Sequence, residues 1–171
     1  MTRWLWLWVT LLVAVSSLSA QGSARSQSPR SRAPNAIFAE VLGNGGLYSL
    51  NYDRSLNDAI SVRGGYTRWT SVEFGDQPTK HYKFFLLMLN GLLGQTPQRF
   101  EIGGGARFGS VAQQDTPSRS AVKVTSTIGY RYQQSDEGWL FRCGLVPEYN
   151  VRGYSSRSVS LNLGLSLGRS F

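Results

Sequence analysis

From residue 36 to the end, apolar residues recur at every second position, the period of a β-strand, and no segment sustains the 3.6-residue period of an amphipathic helix. The C-terminus shows it most plainly. Val159, Leu161, Leu163, Leu165, Leu167 and Phe171 share one face, interrupted at Arg169, while Ser158, Ser160, Asn162, Gly164, Ser166, Gly168 and Ser170 share the other. The same alternation sets Phe100, Ile102, Ala106 and Phe108 against Glu101, Gly103, Gly105 and Arg107, and Val122, Val124, Ile128, Tyr130 and Tyr132 against Lys123, Thr125, Thr127, Gly129 and Arg131. It places Trp139, Phe141, Cys143, Leu145 and Tyr149 opposite Arg142, Gly144 and Glu148, with Leu140 and Val146 as exceptions. Eight strands are predicted, at 36–43, 46–55, 59–69, 81–93, 98–110, 121–133, 138–149 and 157–171. The fourth is ambiguous. Its centre, Phe84-Phe-Leu-Leu-Met-Leu89, is apolar on both faces, so its register is open and a helix is the competing assignment.

Most of these strands have nine or more residues, against about five or six in soluble proteins, and about 9–11 tilted residues span a bilayer. Length and alternation also occur in soluble barrels, so the chemistry of the polar face has to decide. That face carries Glu40, Asp53, Arg63, Glu101, Arg107, Lys123, Arg131, Arg142 and Glu148 among Gly, Ser and Thr. Five bases against four acids can pair across a closed polar interior, and abundant glycine suits the narrow lumen of an eight-stranded barrel. Aromatic residues on the apolar face, among them Tyr48, Tyr52, Tyr66, Phe100, Phe108, Tyr130, Trp139 and Phe171, gather toward strand ends, where membrane-interface girdles belong. The prediction is an all-β fold: an eight-stranded antiparallel up-and-down transmembrane β-barrel whose interior holds a polar network of Glu40, Arg63, Glu101, Arg107, Arg131, Arg142 and Glu148.

Connections support that inversion. Those at 55–58, 94–97 and 134–137 are short, whereas those at 70–80, 111–120 and 150–156 are longer and polar, the asymmetry of outer-membrane barrels. The tight first hairpin, Gly43-Asn44-Gly45-Gly46, departs from it.

The first 35 residues belong to neither face. Residues 1–20 have a positive start, an apolar run from Trp4 to Val15 and small residues up to Ala20, the layout of a cleaved secretory signal peptide. Residues 21–35, rich in serine and arginine, read as a flexible lead-in, leaving 36–171 for the barrel. The formal charge of +8 is concentrated here: Arg3, Arg25, Arg30 and Arg32 precede every acidic residue, and the remainder carries +4. A signal peptide directs the chain away from nucleic acid, so none is expected as a partner.

Over 171 residues there is one cysteine, Cys143, and one histidine, His81, which excludes a disulfide framework, a Cys/His zinc cluster and any site needing two imidazoles. The glycine clusters Gly43–Gly46 and Gly103–Gly105 complete no phosphate-loop or dinucleotide pattern. No cofactor and no metal site are expected.

With its signal peptide, eight alternating strands and the ending Leu161-Asn-Leu-Gly-Leu-Ser-Leu-Gly-Arg-Ser-Phe171, the chain resembles the small outer-membrane β-barrel proteins of Gram-negative bacteria. The stretch from Asn35 to Arg54 looks like the opening of an uncharacterised family of that kind. The resemblance covers 35–171 and implies an outer-membrane location with lipid around the wall. It also implies a barrel-assembly signal at Leu163, Leu165, Leu167 and Phe171, read by the assembly machinery. Arg169 departs from that signal but lies where arginine can snorkel. No activity is implied, and the expectation is a non-enzymatic structural or loop-presenting protein. Two alternatives remain. One is a lipid A-modifying enzyme centred on His81 with Ser71, Glu73 and Asp76 nearby, although His81-Tyr82-Lys83 lacks the deacylase family's His-x-Ser arrangement. The other is a secreted soluble barrel holding an apolar ligand.

Overall fold

A computed structural model describes residues 33–71, 79–113, 116–134, 136–153 and 158–171. The predicted signal peptide and most of the lead-in lie outside the described residues, as do parts of the connections at 70–80, 111–120 and 150–156. Eight strands follow one another: β1 (Asn35–Val41), β2 (Tyr48–Ser55), β3 (Ile60–Ser71), β4 (Lys80–Gln95), β5 (Gln98–Gln113), β6 (Thr116–Gln133), β7 (Gly138–Arg152) and β8 (Val159–Ser170). Each pairs antiparallel with its chain neighbour, and β1 closes on β8, giving an up-and-down barrel with no free edge. Among the described residues no helix is long and apolar enough to cross a membrane.

Polarity is inverted relative to a soluble barrel. The outer wall presents Leu50, Leu87, Leu89, Ile128, Leu145, Leu161, Leu163, Leu165 and Leu167, all exposed, while Asp53 and Arg63 are fully buried and Arg131 is 1% exposed. Two aromatic bands flank this aliphatic wall. Near the rim that holds both chain ends lie Tyr52, Phe100, Tyr130, Trp139 and Phe171; toward the opposite rim lie Tyr48, Tyr66, Phe85, Phe108 and Tyr149. Tyr66, Phe85 and Phe108 run across β3, β4 and β5 with ring centroids 5.1 and 6.3 Å apart.

The ambiguous fourth strand is a strand. Its pairing with β3 and β5 turns Phe84, Leu86, Met88, Asn90 and Leu92 inward and Phe85, Leu87, Leu89 and Leu93 outward. Part of the lumen is therefore apolar. Leu140 and Val146, exceptions to the alternation in sequence, are also buried, and Leu140 packs with Ala36 and Phe38.

Strand lengths correct the predicted loops. β5 continues to Gln113 and β6 begins at Thr116, so most of the expected 111–120 loop is paired backbone, and β3 and β4 extend to Ser71 and Lys80. The walls are consequently uneven. β3 to β6 stand tall above the opposite rim, and β1, ending at Val41, stops well short of it.

Candidate functional site

The barrel interior concentrates the charged chemistry of the described residues, and strand pairing sets three like-charge oppositions there: Arg99–Arg131, Arg131–Arg142 and Arg107–Lys123. Strand pairing sets Arg131 on β6 directly opposite Arg142 on β7, a repulsive arrangement unless an anion intervenes. Glu101 on β5 supplies that anion. It takes a two-pronged bond from Arg142, with Nε at 2.9 Å and one Nη closer still, and lies 3.9 Å from Arg131. Arg131 also grips Asp53 through two nitrogens, each at 3.2 Å, and donates to Gln133 Oε1. Nearer the opposite rim, pairing sets Arg107 against Lys123, and Glu148 bridges them at 3.2 Å to each.

Between these clusters sits Phe38. The guanidinium groups of Arg63 and Arg142 both lie over its ring, 5.0 and 4.9 Å from the centroid. Arg63 pairs with Glu40 at 2.5 Å and donates to Asn51 Oδ1 from Nε and Nη2. Arg107 lies over the Phe84 ring at 5.3 Å, which accounts for an aromatic residue on the inner face of β4.

The β1–β2 hairpin closes the lumen. Instead of standing clear, Gly43, Asn44 and Gly45 fold into the barrel and are buried. Asn44 Nδ2 donates to Thr125 Oγ1 at 2.8 Å and to the Ser126 carbonyl at 2.9 Å, both on β6 across the lumen, and Asn44 Oδ1 accepts from Arg63 at 3.2 Å. The Gly45 N–H donates to Glu40 at 3.1 Å. Small residues are required: a Cβ on Gly46, where φ is +105°, would lie 2.6 Å from an Arg107 nitrogen. At the rim with the chain ends, Ala33 is buried and its carbonyl accepts from Gln133 Nε2 at 3.3 Å. The void among Glu40, Glu101, Thr127, Arg142 and Ser166 is about 10 Å³, roughly the space one water occupies. That void is too small for an apolar ligand.

The structure thus places Glu40, Arg63, Glu101, Arg107, Arg131, Arg142 and Glu148 inside, in three ion-paired groups: Glu40 with Arg63, Glu101 with Arg131 and Arg142, and Arg107 with Glu148. Phe38 and Asn44 also belong to the site and were not singled out in the sequence. Phe38 has a detectable signal, being two residues from Glu40 and therefore on the same face. Nothing local predicts that Asn44 turns inward.

Leu163, Leu165, Leu167 and Phe171 line the outer wall of β8 and its end, and exposed Arg169 stands between Ile37 and Trp139 on the neighbouring strands. His81 is exposed on the outer wall of β4, with Nδ1 3.0 Å from Thr70 Oγ1. Ser71 pairs with Lys80 and faces the other way, so it is not the hydroxyl beside this imidazole. Glu73 and Asp76 lie outside the described residues. Among the described residues, no group of three His, Cys, Asp or Glu side chains could hold a metal ion.

A closed eight-stranded antiparallel wall with charges inside and leucines outside defines the architecture of small membrane barrels. The N-terminal β-barrel domain of Pseudomonas aeruginosa OprF shares this fold at 15% identity, with 80% of this chain and 95% of that domain aligned and a TM-score of 0.57. The attachment invasion locus protein Ail of Yersinia pestis aligns at 15% identity over 80% of this chain and 93% of its own, with a TM-score of 0.41. No protein-family model matches the chain, and no curated protein matches it.

Proposed function

We propose that this protein is an integral outer-membrane barrel with a closed lumen and no enzymatic activity, serving a structural role or presenting its rim to the surroundings. The inverted polarity carries the reading: buried Asp53, Arg63 and Arg131 behind an outer wall of leucines suit a lipid surround. In this orientation the rim with both chain ends faces the periplasm, and the taller β3–β6 wall rises on the outside. The plugged interior favours structure over transport, and the surroundings of His81 offer no complete triad among the described residues.

Folding in detergent tests the reading. Residues 33–171 refolded in micelles should give a β-type circular dichroism spectrum and a gel mobility that shifts on heating. Equal folding in plain buffer overturns the proposal.

Assembly is a second expectation. The outward row Leu163, Leu165, Leu167 and Phe171 fits a C-terminal signal for the barrel-assembly machinery. Deleting Phe171 should lower the amount of barrel in the outer membrane severalfold while refolding in detergent is little affected. Equal membrane levels with and without Phe171 would remove the assembly role.

A further inference from the structure

β7 carries a proline in its interior, Pro147, where a strand ordinarily needs every N–H it has. Pairing of Thr125 with Glu148 and of Ile128 with Leu145 sets Ser126 on β6 opposite Pro147. The Trp139 carbonyl accepts from Gln134 at the end of β6, so the odd-numbered residues of β7 direct their backbone polar groups at β6, and Pro147 is one of them. The N–H that Pro147 lacks is therefore the one that would reach the Ser126 carbonyl. Its own carbonyl still serves the pair, accepting from Ser126 Oγ at 3.4 Å.

Lipid around the wall offers the Ser126 carbonyl no donor, and a backbone group left unpaired there is costly. Asn44 supplies the donor. From the tip of the β1–β2 turn, 82 positions away in the chain, its Nδ2 reaches the Ser126 carbonyl at 2.9 Å. Thr125 Oγ1 and Arg63 hold the same side-chain amide, which is 1% exposed. Bringing Asn44 there bends the turn. Leu42, at its start, has φ +55°, a left-handed conformation that a leucine resists, and its side chain is left exposed. Strain at one end of the turn thus opposes a small set of hydrogen bonds at the other.

We propose that Pro147 creates the docking point of the plug, and that the β1–β2 turn is a releasable latch over the lumen. By withholding one N–H, Pro147 reserves the Ser126 carbonyl for Asn44, and the turn stays in while its bonds outweigh the strain at Leu42. Pro147 is a positioning residue that acts through Ser126 and Asn44. The latch rests on the membrane-barrel reading, which removes solvent from the wall, and goes beyond it in giving the lumen a second, open state.

The test compares wild type, Pro147→Ala, Asn44→Ala and the double variant, each refolded in micelles, checked for the heat-modifiable form and reconstituted into planar bilayers. Pro147→Ala restores an ordinary ladder group, so this barrel should fold as well as wild type, with the new amide at position 147 protected from hydrogen exchange. Brief openings of the lumen should nonetheless become about fivefold more frequent, the ratio that one hydrogen bond commands. Asn44→Ala should open at least as often, and adding Pro147→Ala to it should change nothing further, because both remove the same contact. Leu42→Gly, which relieves the strain, should make openings rarer in the Pro147→Ala barrel. Openings of Pro147→Ala no more frequent than those of wild type overturn the latch, since the carbonyl then accepts from both donors and the proline has no part in holding the turn. Effects that multiply in the double variant overturn it as well, since Pro147 and Asn44 then act separately. A barrel that folds equally without detergent defeats the underlying reading, whereas a detergent-dependent barrel indifferent to Pro147→Ala defeats only the latch.

Discussion

Replacing Glu101 with alanine should lower the unfolding free energy of the barrel in detergent by about 3–5 kcal/mol, measured by urea titration of the heat-modifiable form. The size follows from what Glu101 separates. Arg131 and Arg142 are directly opposed across β6 and β7, and without the carboxylate Arg142 keeps no hydrogen-bonded anion inside the barrel. Arg131 loses less, since Asp53 holds it through two bonds of 3.2 Å. The double variant Glu101→Ala/Arg142→Met should therefore recover much of the loss, because a buried pair replaced on both sides by apolar groups is often close to neutral. If the single variant is as stable as wild type, the network is not acting as a set of buried ion pairs. If the double variant is less stable than the single one, the packing of Arg142 on Phe38 outweighs its charge.

Opening the plug is the second large effect. A Cβ at Gly45 would fall 2.2 Å from Ser49 Cβ, well inside any real contact, so Gly45→Val should force the β1–β2 turn out of the lumen. The stability loss should be about 1–3 kcal/mol, the usual range for overpacking a filled interior. Displacing the turn also separates Asn44 from Thr125, Ser126 and Arg63. In planar bilayers the wild-type barrel should show no steady conductance, while Gly45→Val should show measurable ion passage. A conducting wild type would mean that the interior around Glu40 and Arg142 is not filled in lipid. A silent variant with wild-type stability would mean that the turn accommodates the side chain without leaving.

Much of this architecture is legible in the sequence, because a wall with lipid on one side and a charged lumen on the other alternates at nearly every step. β8 shows how little is hidden: Leu161 to Leu167 outward and Asn162 to Ser166 inward follow directly from the period of two. β4 resists the same treatment. Its inward Phe84 lies under the Arg107 guanidinium of the next strand, a partner that the local pattern of β4 does not reveal. The 111–120 segment misleads for a different reason. It is rich in Ser, Thr and Gln, so no apolar face alternates along it and its pairing leaves no periodic trace. The interior network is visible as residue types on one face. Which acid meets which base is not, because Asp53 and Arg131 are 78 positions apart and meet only once the cylinder closes.

That closure has a weak point. β4 and β5 are paired along their whole lengths, from Lys80–Gln113 to Gln95–Gln98, whereas β1 meets β8 only from Asn35, which exchanges two backbone hydrogen bonds with Phe171, to Val41. Without the β1–β8 pairing the wall is a curled, open sheet with two raw margins, and this short seam is the backbone pairing that turns it into a tube. The plugging turn begins one residue beyond the seam, so latching the lumen and zipping the last joint are the work of the same short piece of chain. The residues that close the cylinder and those that fill its mouth are thus contiguous in the chain, so a change in this one segment bears on both.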